Sequence, residues 1–387
     1  MSIELRAFKY RIYPTKQQIV LLNKTFGCVR SVWNHNVEMF NKYDKNKVTQ
    51  EAPLTTTQLR KQFTWMSEVS AAALQQKEID FKLFKNNYFS KSRKKKLGRP
   101  SFKTRHDKQS FRLPNQKFSL NDKTIRLEKI GKVKVVIDRE IPCDHRFISV
   151  TVSKNKCNQF YASVLVEIEI AHKPKTHRHI GLDAGLKTFL TGSDGLTVEN
   201  PRYFRENQTK LAKVQRAFSR KQKGSVRRNK AKLKVARLHN AIANQRKDFI
   251  HKLTTYLIDT YDFIAIEDLN VSGMVKNHKL AKSLYDASFS EFYTVLSYKA
   301  KWHGKDVVKI DRWFASSKTC SCCGWKDNDL TLSDRVFNCQ VCGLELDRDL
   351  NASRNILNEA LRVNNAIRTP SECQTENGVK PVSSFSR

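Results

Sequence analysis

Apolar positions recur along this chain with two periods, and the switches between them mark its organisation. Leu5, Ala7, Lys9, Arg11 and Tyr13 alternate as a short strand that Pro14 ends. Residues 16–45 read as a helix, with Ile19, Leu22, Phe26, Val29 and Trp33 on one stripe. A second helix is expected over about 70–90, with Leu74, Phe81, Phe84 and Tyr88 inward and Lys77, Lys82 and Lys85 outward. The basic loop Lys91–Arg105 follows, and Gly98 and Pro100 bar any helix there. From about 110 to 170 the period falls to two. Lys132–Asp138 is one strand, and Ile148, Val150 and Val152 face Ala162, Val164, Val166 and Ile168 across a turn at 154–158.

The second half begins with HIGLDAGLKTFLTGSDG at 179–195, two strands joined at Gly185 with a further turn at Ser193-Asp194-Gly195. A helical region runs from about 204 to 261, interrupted near Gly224-Ser225. Its second arm carries Leu238, Ile242, Phe249, Leu253 and Leu257 on an apolar seam, which by itself is only structural. Phe263–Ile266 is a buried strand ending in Glu267-Asp268. A helix over 289–303, a strand over 306–310 and a helix over 350–361 complete the pattern, and the polar stretch after about 363 is expected to be disordered.

Charge alters this picture. Lys and Arg outnumber Asp and Glu 72 to 37, a net +35 that strains a compact fold unless a polyanion neutralises it, so nucleic acid is the default partner. Acidic residues are nearly absent between Lys210 and Lys247, which points the basic helix faces at phosphate. No long apolar run spans a membrane and the first residues form no secretory signal, so a reducing cytoplasm is expected, where paired cysteines favour metal over disulfide.

Two constellations carry chemistry. Cys320-x2-Cys323 and Cys339-x2-Cys342, fifteen residues apart, are two knuckles that supply four thiolates to one tetrahedral, structural Zn²⁺. Gly324 and Gly343 follow them and suit the tight turns. Cys322 is read as a non-ligand, and Cys28, Cys143, Cys157 and Cys373 as small packing residues. The second constellation is three carboxylates. Asp183 sits late in an apolar strand, where a charge is costly without a cation. Glu267 ends another strand, and Asp349 opens a helix, where an ordinary N-cap is the alternative. Together they can gather hard oxygen ligands around two Mg²⁺ ions, which clamp the attacking water and leaving oxygen of a phosphodiester.

The order strand-Asp, hairpin, helix, strand-Glu, ribbon, helix-Asp resembles a RuvC-type RNase H fold. The segments KYRIYPTKQQ, GCVRSVWN, GRPSFK, HIGLDAGLK, KLTTYLIDTYDFIAIEDLNVSGM, SSKTCSCCG, DRVFNCQVCG and DRDLNASRNI resemble the TnpB (OrfB) proteins of insertion sequences, ancestors of type V CRISPR nucleases. The resemblance covers most of the chain. It implies that Asp183, Glu267 and Asp349 are a metal-binding catalytic triad, with Asp349 rather than Asp347 fitting Asp-x-Asn-Ala. Ser353, where Ala is common, and Cys322 depart from the family pattern without touching the triad. It also implies a guide RNA from the transposon end and cleavage of double-stranded DNA beside a short motif.

The expected architecture is α+β and multidomain. Residues 1–15 and 98–178 form a β-barrel-like wedge domain, with a helical recognition insertion at 16–97. A RuvC-like nuclease domain spans 179–318 and 346–362, with the zinc ribbon inserted at 319–345. A monomer is expected. Gln75 matches a family position near the adjacent motif, though an exposed helical Gln is commonly just solvated. Arg335 either reaches the scissile phosphate or braces the ribbon, and Lys94, Lys95, Lys96, Arg227, Arg228 and Arg237 are candidate phosphate contacts. Two rivals remain at this point. A nuclease-silent RNA-guided repressor would have lost carboxylates, and a strand-transfer transposase on an RNase H fold usually orders them Asp, Asp, Glu.

Overall fold

The computed structural model describes residues 2–42, 52–90, 97–142, 144–331 and 333–364. The chain forms two compact units that divide between Glu169 and Ile170.

The first unit is built on a seven-stranded sheet. Its strands are β1 (Ser2–Tyr13), β2 (Gln109–Pro114), β3 (Phe118–Leu120), β4 (Thr124–Leu127), β5 (Gly131–Val136), β6 (His145–Lys154) and β7 (Phe160–Ile170), in spatial order β2-β6-β7-β1-β5-β4-β3. The two outermost strands, β2 and β3, are consecutive in the chain and joined by one 3₁₀ turn, Asn115–Lys117. That short link curls the sheet until it nearly closes. Alternation does the rest, since Phe160, Ala162, Val164, Val166, Ile168 and Ile170 are all buried on β7. Ile148 departs from its expected inward place. A bulge between Phe147 and Ser149 shifts the β6–β7 register, so Ser149 and Val150 are buried in succession.

Among the described residues, three α-helices pack in this unit: α1 (Lys16–Asn41), α2 (Thr56–Gln62) and α3 (Ala71–Phe89). Thr15 and Gln18 form a capping box that starts α1 where Pro14 stops the strand. Helix α2, with the same Thr55–Gln58 box, is short and escaped the periodicity. Leu74 and Phe81 are buried and Phe84 half-buried, as their spacing requires, with Phe81 and Phe84 edge-on to Trp33. Lys77 is not turned outward. It is largely enclosed and ion-paired with Asp80, which also binds Arg112, because a lysine one turn above buried Ala73 faces the sheet rather than solvent. Cys28 and Cys157 are buried packing residues; Cys143 and Cys373 lie outside the described residues, as does most of the polar stretch beyond 363.

The second unit holds β8 (His179–Asp183), β9 (Thr188–Gly192), β10 (Thr197–Glu199), α4 (Tyr203–Ser219), α5 (Val226–Thr260), β11 (Phe263–Glu267), α6 (Val271–Met274), α7 (His278–Ala287), α8 (Phe289–His303), β12 (Asp306–Ile310), β13 (Val336–Asn338), β14 (Glu345–Asp347) and α9 (Arg348–Val363). Its five-stranded sheet has the order β10-β9-β8-β11-β12, with β8, β11 and β12 parallel and the β8-β9-β10 meander antiparallel. The short β10 and helices α6 and α7 were not legible in the apolar pattern. On one face Ile180, Leu182, Ile264 and Ile266 pack with Ile250, Leu253 and Leu257 of α5 and Phe289, Phe292 and Leu296 of α8. On the other, Phe263, Ala265 and Ile310 pack with Ile356 and Ala360 of α9. The sheet is thus filled between helices on both sides, and β13 and β14 form a hairpin within the cysteine segment.

Candidate acidic centre and cysteine ribbon

Strand parity decides where the carboxylates point. Successive residues of a strand face opposite sides. Phe263 and Ala265 face α9, so Glu267 does too; Gly181 faces α9, so Asp183 does too. The parallel register sets Ile266 beside Leu182, bringing Asp183 and Glu267 to neighbouring strand ends. Helix α9 lies directly on β8 because position 181 is glycine: a β-carbon there would stand 2.1 Å from the Ser353 carbonyl oxygen and 2.7 Å from the Leu357 nitrogen. One helical turn back from Ser353 is Asp349, about 6 Å along the axis, while two residues along β8 from Gly181 is Asp183, about 6.6 Å. The two displacements match, and the third carboxylate meets the first two.

Their electrostatics record the meeting. The Asp183 carboxyl is pushed up to about 7, first by desolvation and then by the negative charges of Glu267 and Asp349. Arg348 and the Ala184 backbone N–H pull it back only in part. The helix start divides labour between two aspartates. Asp347 is the N-cap, its Oδ1 accepting from the backbone N–H groups of Asp349 (2.9 Å) and Leu350 (3.0 Å), which leaves the Asp349 carboxylate out of the cap. Asp268, next to Glu267, is likewise taken out of the cluster: Arg312, then Lys309, holds its carboxyl below the usual range.

Three residues at the centre escaped the sequence pattern. Ser316 is buried and donates its Oγ–H to Glu267 Oε1. Arg348 places its guanidinium 3.4 Å from Asp349 Oδ1. Tyr293, on α8, is 8% exposed, and its hydroxyl has no hydrogen-bond partner among the described residues. Burial, Glu267 and Asp183 raise its pKa well above the ordinary phenol value. Ser316 stands in SSKTC just ahead of the first knuckle, the one sequence signal that marks it.

The four cysteines converge. Their sulfur atoms all lie within 4.8 Å of one another, with Cys320–Cys342 at 3.6 Å and Cys323–Cys339 at 3.5 Å, and Cys322 is not among them. A tetrahedron with metal–sulfur bonds of about 2.3 Å has edges of about 3.8 Å, so the donor set fits a zinc ion. Each knuckle closes identically. Gly324 N–H donates to Cys320 O and Gly343 N–H to Cys339 O, both at 3.0 Å, with positive φ of 80° and 70° that only glycine adopts without strain. The ribbon is tied to α9 by two asparagines one turn apart. Asn351 accepts from Ser321 N–H and donates to Thr319 O, while Asn355 donates to Ser316 O and Thr319 O.

The remaining candidates are spread over both units. Gln75 is exposed on α3, and Arg227 and Arg237 are exposed on α5. Arg228 is committed to the α4–α5 turn, donating to Phe218 O and Lys221 O with its guanidinium 4.3 Å from the Phe218 ring centroid. The Arg335 side chain is exposed, and its backbone carbonyl accepts from Arg348 N–H at 2.8 Å. Lys94, Lys95 and Lys96 lie outside the described residues.

An acidic cluster at the strand ends of an α/β sheet, with a four-cysteine ribbon ahead of the last helix, defines the class of protein. Comparison with known proteins narrows it. The family model OrfB_IS605, described as a probable transposase, matches residues 163–278; the Cas12f1-like TNB domain matches 289–356; and a helix-turn-helix domain of OrfB_IS605 matches 1–47. A Streptomyces pristinaespiralis protein named as an RNA-guided DNA endonuclease is 38% identical, over 91% of this chain and 88% of its own. InsQ of Escherichia coli K12, of the same description, is 32% identical over 91% and 92%. The chain belongs to the OrfB (TnpB) family of IS605-type insertion sequences. Among solved structures, a Cas12f1–sgRNA–target DNA complex aligns over 92% of this chain and 99% of its own at 15% identity and a TM-score of 0.35. No helix among the described residues is long and apolar enough to cross a membrane.

Proposed function

We propose that this protein is an RNA-guided DNA endonuclease in which Asp183, Glu267 and Asp349 form the hydrolytic centre of a RuvC-type, RNase H-like domain. The observation that carries the reading is the convergence of three carboxylates at Asp183. Three carboxylates from two strands and a helix share one face, and burial together with the charges of Glu267 and Asp349 outweighs Arg348 and drives Asp183 to bind a proton near neutrality. The strand order and the mixed parallel and antiparallel pairing support the RNase H-like assignment. The names of the relatives, RNA-guided DNA endonucleases, support the activity.

A hard, all-oxygen donor set of this charge fits Mg²⁺, with two ions as the family resemblance implies. Bound there, Mg²⁺ supplies Lewis-acid stabilisation of the phosphodiester and lowers the pKa of water. The chain's own residues set the conditions. Asp183, Glu267 and Asp349 concentrate negative charge at one spot, Ser316 fixes the Glu267 carboxylate, and Arg312 and Lys309 keep Asp268 from competing. The four cysteines would hold a structural Zn²⁺, with thiolates enough to fill a tetrahedral site. Guide RNA and target DNA are the polyanions that offset the net +35.

All three carboxylates are present, which favours a nuclease over a guide-RNA repressor, and their order, Asp, Glu, Asp, does not match the usual strand-transfer pattern. The test is to incubate purified ribonucleoprotein with a plasmid library carrying the guide-matched target, with and without Mg²⁺. Linear product only with Mg²⁺, lost in Asp183→Ala while RNA binding is kept, is expected. Cleavage by that variant at the wild-type rate overturns the assignment.

A further inference from the structure

Trp313 is the most exposed large apolar side chain among the described residues, at 86%. An indole left in water forgoes the burial that normally makes tryptophan worth keeping in a fold. Its loop is nevertheless fixed. The Trp313 N–H donates to Asp311 Oδ1 at 2.7 Å and Phe314 N–H to Asp311 O at 3.2 Å, a tight turn that aims residue 313 outward. On either side the chain is anchored. Arg312 is ion-paired with Asp268, Phe314 packs on the core beneath α9, and Ser316 bonds Glu267. A rigid, solvated indole therefore stands one residue from the partner of Asp268 and three from the partner of Glu267.

We propose that Trp313 is a stacking platform for an unpaired base of the DNA strand entering the carboxylate centre. The inference rests on the nuclease reading above. The surface chemistry favours this occupant. Ile310 is buried and Phe314 turned inward, so the loop offers one flat ring rather than an apolar patch of the kind a protein partner needs. Arg312, the residue before it, is a partly exposed cation whose guanidinium is shared with Asp268, so the ring stands beside charge of the kind a phosphodiester backbone meets. Bases in a duplex are already stacked on both faces, so an open indole face serves a base that has left its pair. Stacking is also indifferent to sequence, as a guided nuclease with a programmable target requires.

The test uses the guide-loaded ribonucleoprotein and a matched target duplex carrying 2-aminopurine beside the wild-type cut position, with Ca²⁺ replacing Mg²⁺ to hold the uncut complex. Stacking quenches this base. Quenching is expected with wild type and Trp313→Phe and is lost with Trp313→Ala. Trp313→Ala should also raise the apparent KM for target, or slow cleavage, by roughly 5- to 150-fold, the usual range for losing one base–aromatic stack, with an unchanged melting temperature. Equal quenching and equal rates in Trp313→Ala overturn the proposal, as does a lowered melting temperature in that variant, which would mark a structural residue. A response to 2-aminopurine in the guide RNA instead of the DNA would assign the platform to RNA and overturn it too. Failure of the wild type to cut in Mg²⁺ would count against the nuclease reading itself, a separate result.

Discussion

The Cα hydrogen of Gly181 faces the Ser353 carbonyl so closely that no side chain fits between strand β8 and helix α9. The residue that admits the helix is two positions before Asp183, and the residue it admits is one turn beyond Asp349. Gly181→Ala should therefore push α9 off the sheet and separate the carboxylates. A loss of about 1–3 kcal/mol is the usual cost of such overpacking. The melting temperature should drop, and Mg²⁺-dependent cleavage should fall by more than the loss of folded protein explains. Unchanged melting and cleavage would show that the helix is placed by other contacts.

The raised Asp183 carboxyl predicts an unusual pH dependence. An unfolded aspartate titrates near 3.9 and this one near 7, so between those values the folded state holds the extra proton. Its contribution to stability is fully present below about pH 4 and is lost as pH rises toward 7. In EDTA, Asp183→Asn should melt above wild type at pH 8, and the gap should close toward pH 4. The same proton competes with Mg²⁺, so the Mg²⁺ concentration giving half-maximal cleavage should rise as pH falls below 7. An Asp183→Asn melting curve that parallels wild type at every pH would remove the basis for this.

Zinc removal should reach the acidic centre. Cys339→Ser is expected to abolish the single bound zinc, measured by elemental analysis, and to suppress cleavage through Asn351 and Asn355. Cys322→Ser should retain one zinc per chain. Loss of zinc from the Cys322 variant would place that thiol among the ligands.

Tyr293→Phe removes a buried hydroxyl that has no hydrogen-bond partner among the described residues. An unsatisfied group of this kind costs about 1–3 kcal/mol, so the variant should be at least as stable as wild type in EDTA, read by thermal or urea unfolding. A clear loss of stability would mean the hydroxyl is bonded in solution.

Much of this was legible because the informative residues are periodic or fixed in spacing. The stripes on α1 and α3, the alternation on β7 and the two cysteine knuckles each declare themselves over a few residues. Helix α2, strand β10 and helices α6 and α7 are short, and their burial is decided by partners distant in sequence. At the acidic centre, Asp183, Glu267 and Asp349 stood out as charges where apolar strands or a helix begin or end. Ser316, Arg348 and Tyr293 join them only through tertiary packing, and no local period points to a serine before a knuckle or a tyrosine midway along α8. Asp347 shows the limit most clearly: sequence places two aspartates at one helix start, and only hydrogen bonds reveal which caps it.

The two asparagines that join ribbon to helix can be weighed against simple chain entropy. Between the end of β12 and the start of α9 the chain makes a long excursion, residues 311–347. Closing the Cys320–Cys342 contact shortens that excursion roughly twofold, which lowers loop-closure entropy by only about 0.6 kcal/mol. So little could not hold Asp349 in register against thermal motion. The buried amides of Asn351 and Asn355, each satisfied by carbonyls just ahead of the first knuckle, do so instead. The ribbon therefore acts on the last helix as a splint bonded along its side, and shortening the leash between them matters far less.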